Sequence, residues 1–250
     1  MRTWIFTIIA LLAMPLATAF AAGKNISYEI DGQAYEGYYI SPDAGAPLVL
    51  LMHDWDGLTD YEVQRAGMLA EMGYAVFAAD LFGAGVRPTT IEDKRQHTGE
   101  LYKDRAKLRK LMLGALEVAR QQGANTGNSV AMGYCFGGAA VLELARAGAD
   151  LKGFATFHGG LQTPEGQDYA NTKGEVLVMH GSADTAITMD QFATLANELE
   201  NAGVKHEMVT YSGAPHAFTV FGSDSYREDA DFKSWALFNE FLEETLHGSQ

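Results

Sequence analysis

The chain has 250 residues, a single cysteine and a formal net charge of −14, with 18 Lys plus Arg against 32 Asp plus Glu. So acidic a surface repels nucleic acid and anionic lipid, and neither is an expected partner. One cysteine excludes an internal disulfide, and the length suits one domain able to bury a full core.

In chain order, Met1-Arg2-Thr3, the apolar run Trp4 to Leu16 and the small-residue site Thr18-Ala19-Phe20-Ala21-Ala22 read as a secretory leader cleaved after about residue 21. Pro15 interrupts a run already short for a membrane span, and polar Lys24-Asn25 follows. The expectation is an exported protein, periplasmic or secreted, with no membrane partner once residues 1–21 are removed. Residues 22–250 are then expected to form one domain. Ile26–Ile30 and Ala34–Ile40 alternate around Asp31-Gly32, which predicts an opening β-hairpin. Next come short, nearly continuous apolar runs at Leu48–His53, Ala75–Asp80, Ser129–Tyr134, Gly153–His158 and Glu175–His180, the pattern of strands buried on both faces of a parallel sheet. Helical periodicity separates them over Tyr61–Met72, Gly99–Gln121, Phe136–Ala147 and Met189–Asn201. A last strand, His206–Tyr211, and an amphipathic helix, Glu228–Leu246, close the pattern. The alternation predicts an α/β fold with a doubly wound, mostly parallel sheet. Phe82–His97 shows no clear period and is expected to be a loop over the site.

The most informative stretch is Gly133-Tyr134-Cys135-Phe136-Gly137-Gly138. A strand that turns sharply into a helix puts its apical residue at strained φ/ψ and needs small residues two positions before and after it. This is a nucleophile elbow with sulfur in place of oxygen. Function in open α/β sheets collects at the carboxyl ends of strands, where His53-Asp54, Asp80, Cys135, His158, His180 to Asp184 and His216 all fall. Cys135, Asp184 and His216 follow in the chain order of α/β-hydrolases: nucleophile, acid, histidine. A thiol with pKa near 8.5 is only a few per cent thiolate at neutral pH, so an imidazole must take its proton and a carboxylate must orient that imidazole. Cys135 is therefore assigned the attack, His216 the proton and Asp184 the orienting bond. The amides of Phe136 and Trp55 are the expected oxyanion donors. His53, His158 and His180 lack the close spacing of metal ligands, so no metal and no cofactor are implied.

These residues resemble the dienelactone hydrolase family of α/β-hydrolases. The resemblance rests on the Gly133–Gly138 elbow, the Gly181–Asp184 turn and His216-Ala217-Phe218. Gly73-Tyr74-Ala75 running into Ala79-Asp80-Leu81-Phe82, and His53 to Gly57, support it; it covers about residues 26–246. It implies an α/β-hydrolase fold, a small-molecule ester or lactone as substrate and a thioester at Cys135. It also implies two departures. The family glutamate that touches the resting cysteine matches Asp54, one methylene shorter. The arginines that grip the substrate carboxylate match Ala84 and Val220, with Arg87 as the available replacement. The expected reaction is that of the family on a neutral ester or lactone, not on dienelactone itself. A thiol-based redox protein and a catalytically silent binding protein on the same scaffold are the alternatives. No second cysteine is present to serve the redox reading.

Overall fold

The computed structural model describes residues 22–248, so the leader expected at residues 1–21 lies outside the described residues. Strands β1 (Lys24–Ile30) and β2 (Gln33–Ile40) form the expected hairpin. Its two turn residues, Asp31 and Gly32, both have positive φ, 54° and 76°, as a type I′ turn demands.

Six further strands continue the sheet: β3 (Pro47–Met52), β4 (Ala75–Ala79), β5 (Asn125–Tyr134), β6 (Gly153–Phe157), β7 (Glu175–Gly181) and β8 (His206–Tyr211). The spatial order is β1-β2-β4-β3-β5-β6-β7-β8, and every pairing from β4 onward is parallel. Leu48, Leu50 and Met52 face one apolar layer while Val49 and Leu51 face the other, so both sides of the sheet are covered. That double burial is why these strands read as unbroken apolar runs.

Helices α1 (Asp60–Glu71) and α6 (Glu228–His247) pack on one face of the sheet. Helices α2 (Ile91–Lys103), α3 (Arg105–Gln121), α4 (Phe136–Arg146) and α5 (Met189–Ala202) lie on the other. Two expectations are corrected. The single helix expected over Gly99–Gln121 is two, broken at Asp104. There φ −110° and ψ 76° leave the helical region, and the Asp104 carboxylate accepts from the Lys107 amide to start α3. The loop expected over Phe82–His97 ends at Thr90, whose hydroxyl caps α2 by accepting from the Asp93 amide. Thr98 and Leu101 are the buried residues of α2, so no apolar stripe marks it in the sequence. Among the described residues no helix is long and apolar enough to cross a membrane.

Candidate active site

Cys135 follows β5 and precedes α4 with φ 50° and ψ −110°, a conformation that side chains rarely adopt. The glycines around it are there for space. A Cβ on Gly133 would meet the carbonyl carbon of Gly137 at 2.3 Å, and one on Gly137 would meet the Met52 carbonyl oxygen at 2.3 Å. A Cβ on Gly138 would meet Thr156 Oγ1 at 2.2 Å. The first turn of α4 is thus pressed onto the ends of β3 and β6, which fixes the apex from both sides.

The parallel pairing of β7 with β8 brings the other two residues together. The amide of Ala183 donates to the carbonyl of Ala214 at 3.0 Å, holding the turn after β7 against the loop after β8. Asp184 is buried. Its Oδ1 accepts from the amides of Ala186 and Ile187, each at 2.9 Å, and its Oδ2 lies 2.7 Å from His216 Nδ1. The same carboxylate is therefore a turn residue and a histidine partner. His216 Nε2 lies 3.1 Å from Cys135 Sγ. Burial disfavours an imidazolium, but the bonds to Asp184 and Cys135 outweigh it and raise the His216 pKa to about 10. For Asp184, burial pulls upward, and the hydrogen bonds from His216 and from the Ile187 and Ala186 amides override it and lower the pKa.

The Trp55 amide leaves the end of β3, whose last carbonyls abut α4, and the Phe136 amide opens α4. Neither donates to an acceptor among the described residues. Asp54 bonds within its own loop and to α1. Its Oδ1 accepts from the Asp56 amide at 2.9 Å and its own amide faces Glu62 Oε1 at 3.4 Å, while the hydrogen-bond partner of the thiol is His216. Burial, the Asp56 contact and the nearby Glu62 raise the Asp54 pKa to about 10. Arg87 lies over Gly57, donates to the carbonyl of Val86 and stands 3.9 Å from Asp80. Asp80 in turn accepts from the amides of Glu36, Phe82 and Gly83, which shapes the loop after β4.

The three histidines considered as ligands each have a protein partner. His53 bridges the Asp54 carbonyl and the Leu81 amide, His158 Nε2 lies 2.8 Å from Thr219 Oγ1, and His180 Nε2 lies 3.0 Å from the Ile187 carbonyl. Among the described residues no group of three His, Cys, Asp or Glu side chains is gathered to hold a metal.

Sequence reasoning missed the support behind His216. The His158 ring meets it edge to face, with centroids 5.4 Å apart, and a relay of Thr219 and Tyr61 hydroxyls runs from His158 toward Arg65. Burial holds the His158 pKa well below its ordinary value, so a neutral ring packs against His216. No periodicity signals such a contact between the ends of β6 and β8. Tyr102 was also missed; its ring stands perpendicular to that of Phe136 at 5.3 Å.

The model of the dienelactone hydrolase family matches residues 35–246. The carboxymethylenebutenolidase homolog of Mus musculus is 25% identical over 199 residues, covering 78% of this chain and 80% of that one. Protein usf of Aquifex pyrophilus is 23% identical over 230 residues, covering 90% and 99%. Among solved structures, a dienelactone hydrolase-like promiscuous phosphotriesterase from metagenomic libraries superposes with a TM-score of 0.83 at 28% identity, covering 90% of this chain and 98% of that one.

Proposed function

This chain belongs to the dienelactone hydrolase family, and on that footing we propose that it hydrolyses a carboxylic ester or lactone through a thioester on Cys135. The observation that carries the reading is the hydrogen-bonded run from Asp184 through His216 to the sulfur, 2.7 and 3.1 Å. Asp184 and the sulfur raise the His216 pKa to about 10, which favours transfer of the thiol proton to Nε2 as the nucleophile forms.

The thiolate attacks the acyl carbon, forming the C–S bond and moving the carbonyl electron pair onto oxygen. The amides of Phe136 and Trp55 receive that oxyanion, with the dipole of α4 behind the first of them. The tetrahedral species collapses, the C–O bond breaks, and His216 Nε2 gives its proton to the departing alkoxide. Water then attacks the thioester and passes a proton to Nε2. Release of the acid restores thiolate and imidazolium. Asp184 stays ionised throughout and holds the tautomer. The reading also includes export, on the leader-like residues 1–21; N-terminal sequencing of the periplasmic fraction starting at about Ala22 is the expected result.

Intact mass after brief exposure to a 4-nitrophenyl ester tests the chemistry. The wild-type protein should gain the acyl mass and lose it with turnover. Cys135→Ala should show neither adduct nor turnover with an unchanged circular dichroism spectrum. Undiminished turnover by the folded variant removes Cys135 from the mechanism.

A further inference from the structure

Strand β6 lies between β5 and β7, so His158 at its carboxyl end stands between the strand that leads to Cys135 and the strand that leads to Asp184. The His158 amide donates to the Met179 carbonyl at 2.8 Å, and the Cys135 amide donates to the Phe157 carbonyl at 3.1 Å. His158 has φ 41°, a left-handed conformation that a residue with a side chain keeps only where its surroundings over-determine it. The contacts that hold its ring begin at Arg65. This guanidinium is 1% exposed, pairs with Asp231 and lies over the rings of Phe221 and Trp235 at 4.2 and 4.9 Å. It donates to the carbonyl of Thr219, three residues beyond His216, at 2.9 Å, and through Nε to the Tyr61 hydroxyl at 3.3 Å.

An arginine only donates, and with its proton arriving at Tyr61 one direction satisfies the relay best. Tyr61 gives its one proton to Thr219 Oγ1 at 2.7 Å, and Thr219 gives its own to His158 Nε2 at 2.8 Å. Nε2 is then an acceptor and the ring proton sits on Nδ1, which alone in the relay has no partner among the described residues. The opposite direction strands both the Tyr61 proton and the Nδ1 lone pair, and two buried groups without partners cost more than one.

Charge works the same way. His158 is faced by His216 and Thr219 from the loop after β8, by Asp184 from the turn after β7, by Tyr134 from β5 and, through the relay, by Tyr61 and Arg65 of α1. Burial, the facing His216 and the Arg65 charge lower its affinity for a second proton, and Asp184 chiefly pulls the other way. A second imidazolium, its centroid 5.4 Å from the first, would repel the proton that His216 has to carry.

Building on the hydrolase reading, we propose that Arg65 is a positioning residue that acts through Tyr61 and Thr219 to hold His158 as a neutral ring protonated on Nδ1, so that the mobile proton of the site stays with His216 and not with the histidine beside it.

Ring resonances of protein labelled with nitrogen-15 histidine test the relay without any substrate. They are read from about pH 5.5 to about pH 9, either side of the ordinary histidine pKa, and assigned to His158 by their loss in His158→Asn. The parent protein should show Nδ1 protonated and Nε2 bare throughout. Tyr61→Phe keeps an aromatic ring but delivers no proton to Thr219, whose oxygen becomes free to accept. A proton should then appear on Nε2, and the ring should begin to titrate. The ester kcat/KM of Tyr61→Phe divided by that of the parent should fall by about tenfold between about pH 8 and about pH 5.5, whereas a purely structural defect lowers it by one factor at every pH. Thr219→Ser, which keeps the hydroxyl, should retain the parent tautomer and a ratio flat with pH. A parent His158 protonated on Nε2, or one that titrates within this range, overturns the inference whether or not the variants fold. So does a Tyr61→Phe protein with the parent tautomer and a flat rate ratio. Absence of ester turnover in the parent would overturn the hydrolase reading alone, since the resonances still decide the relay.

Discussion

His53 and His216 both stand at the carboxyl edge of one sheet, the first after β3 and the second after β8, yet their pKa values are shifted in opposite directions. His53 is fully buried, donating from Nδ1 to the Asp54 carbonyl at 2.6 Å and accepting at Nε2 from the Leu81 amide at 3.1 Å. That pattern uses both nitrogens of a neutral ring, and burial lowers its pKa. The His216 side chain is 28% exposed and faces a carboxylate and a thiol, and its pKa is raised to about 10. The lesson is that partner type, not position on the sheet, separates a histidine that ties two loops together from one set between a carboxylate and a thiol.

Removing the histidine that faces the thiol should break the comparison most strongly. His216→Ala should lower ester kcat/KM by about 10⁴-fold or more. In the double variant Cys135→Ala/His216→Ala the loss should hardly exceed that of the worse single variant. Multiplicative losses would show that the two do not act as a unit.

Asp184→Asn should cost less, about 10³-fold to 10⁴-fold, and it should also move the pH profile. With Asp184 present, the general-acid proton on His216 persists to about pH 10, so the rate falls only as pH rises through that value. Without the carboxylate the His216 pKa drops, and the alkaline limb should move to lower pH in a kcat/KM series. Stability follows the same sign: the His216 contribution is fully present below its ordinary pKa of about 6.5 and is lost as pH rises through about 10. An alkaline limb that stays in place in Asp184→Asn would detach His216 from Asp184.

The smallest effect sharpens the other half of the comparison. His53→Leu leaves the Leu81 amide without its buried acceptor and should cost about 1–3 kcal/mol in urea unfolding. The alkaline limb of the variant should coincide with that of the parent. A displaced limb would make His53 part of the chemistry.

Much of this architecture is local enough to be legible along the chain. The strands announce themselves because burial on both faces forbids polar residues, as in Leu48 to Met52 and Ala75 to Ala79. The elbow is partly legible for the same kind of reason: the contact that demands glycine at 133 is with Gly137, four residues on across one turn, while the end of β3 presses on Gly137. Helix α2 was not legible, since a polar helix held mainly by its cap and by Thr98 and Leu101 writes no stripe.

Sequence order alone determined that a cysteine apex, an acid turn and a terminal histidine lie at strand ends, because the alternation of apolar runs and helical periods places those ends. Only the tertiary structure decided which carboxylate serves which histidine. Asp54, Asp80 and Asp184 all follow strands. The parallel register of β7 with β8, which pairs Gly181 with Tyr211, gives His216 to Asp184, whereas Asp54 turns to Asp56 and Asp80 to the amides after β4. Such choices depend on through-space distances of a few ångströms between residues tens of positions apart, and hydrogen-bond and charge energies fall too steeply with distance for any linear pattern to record them.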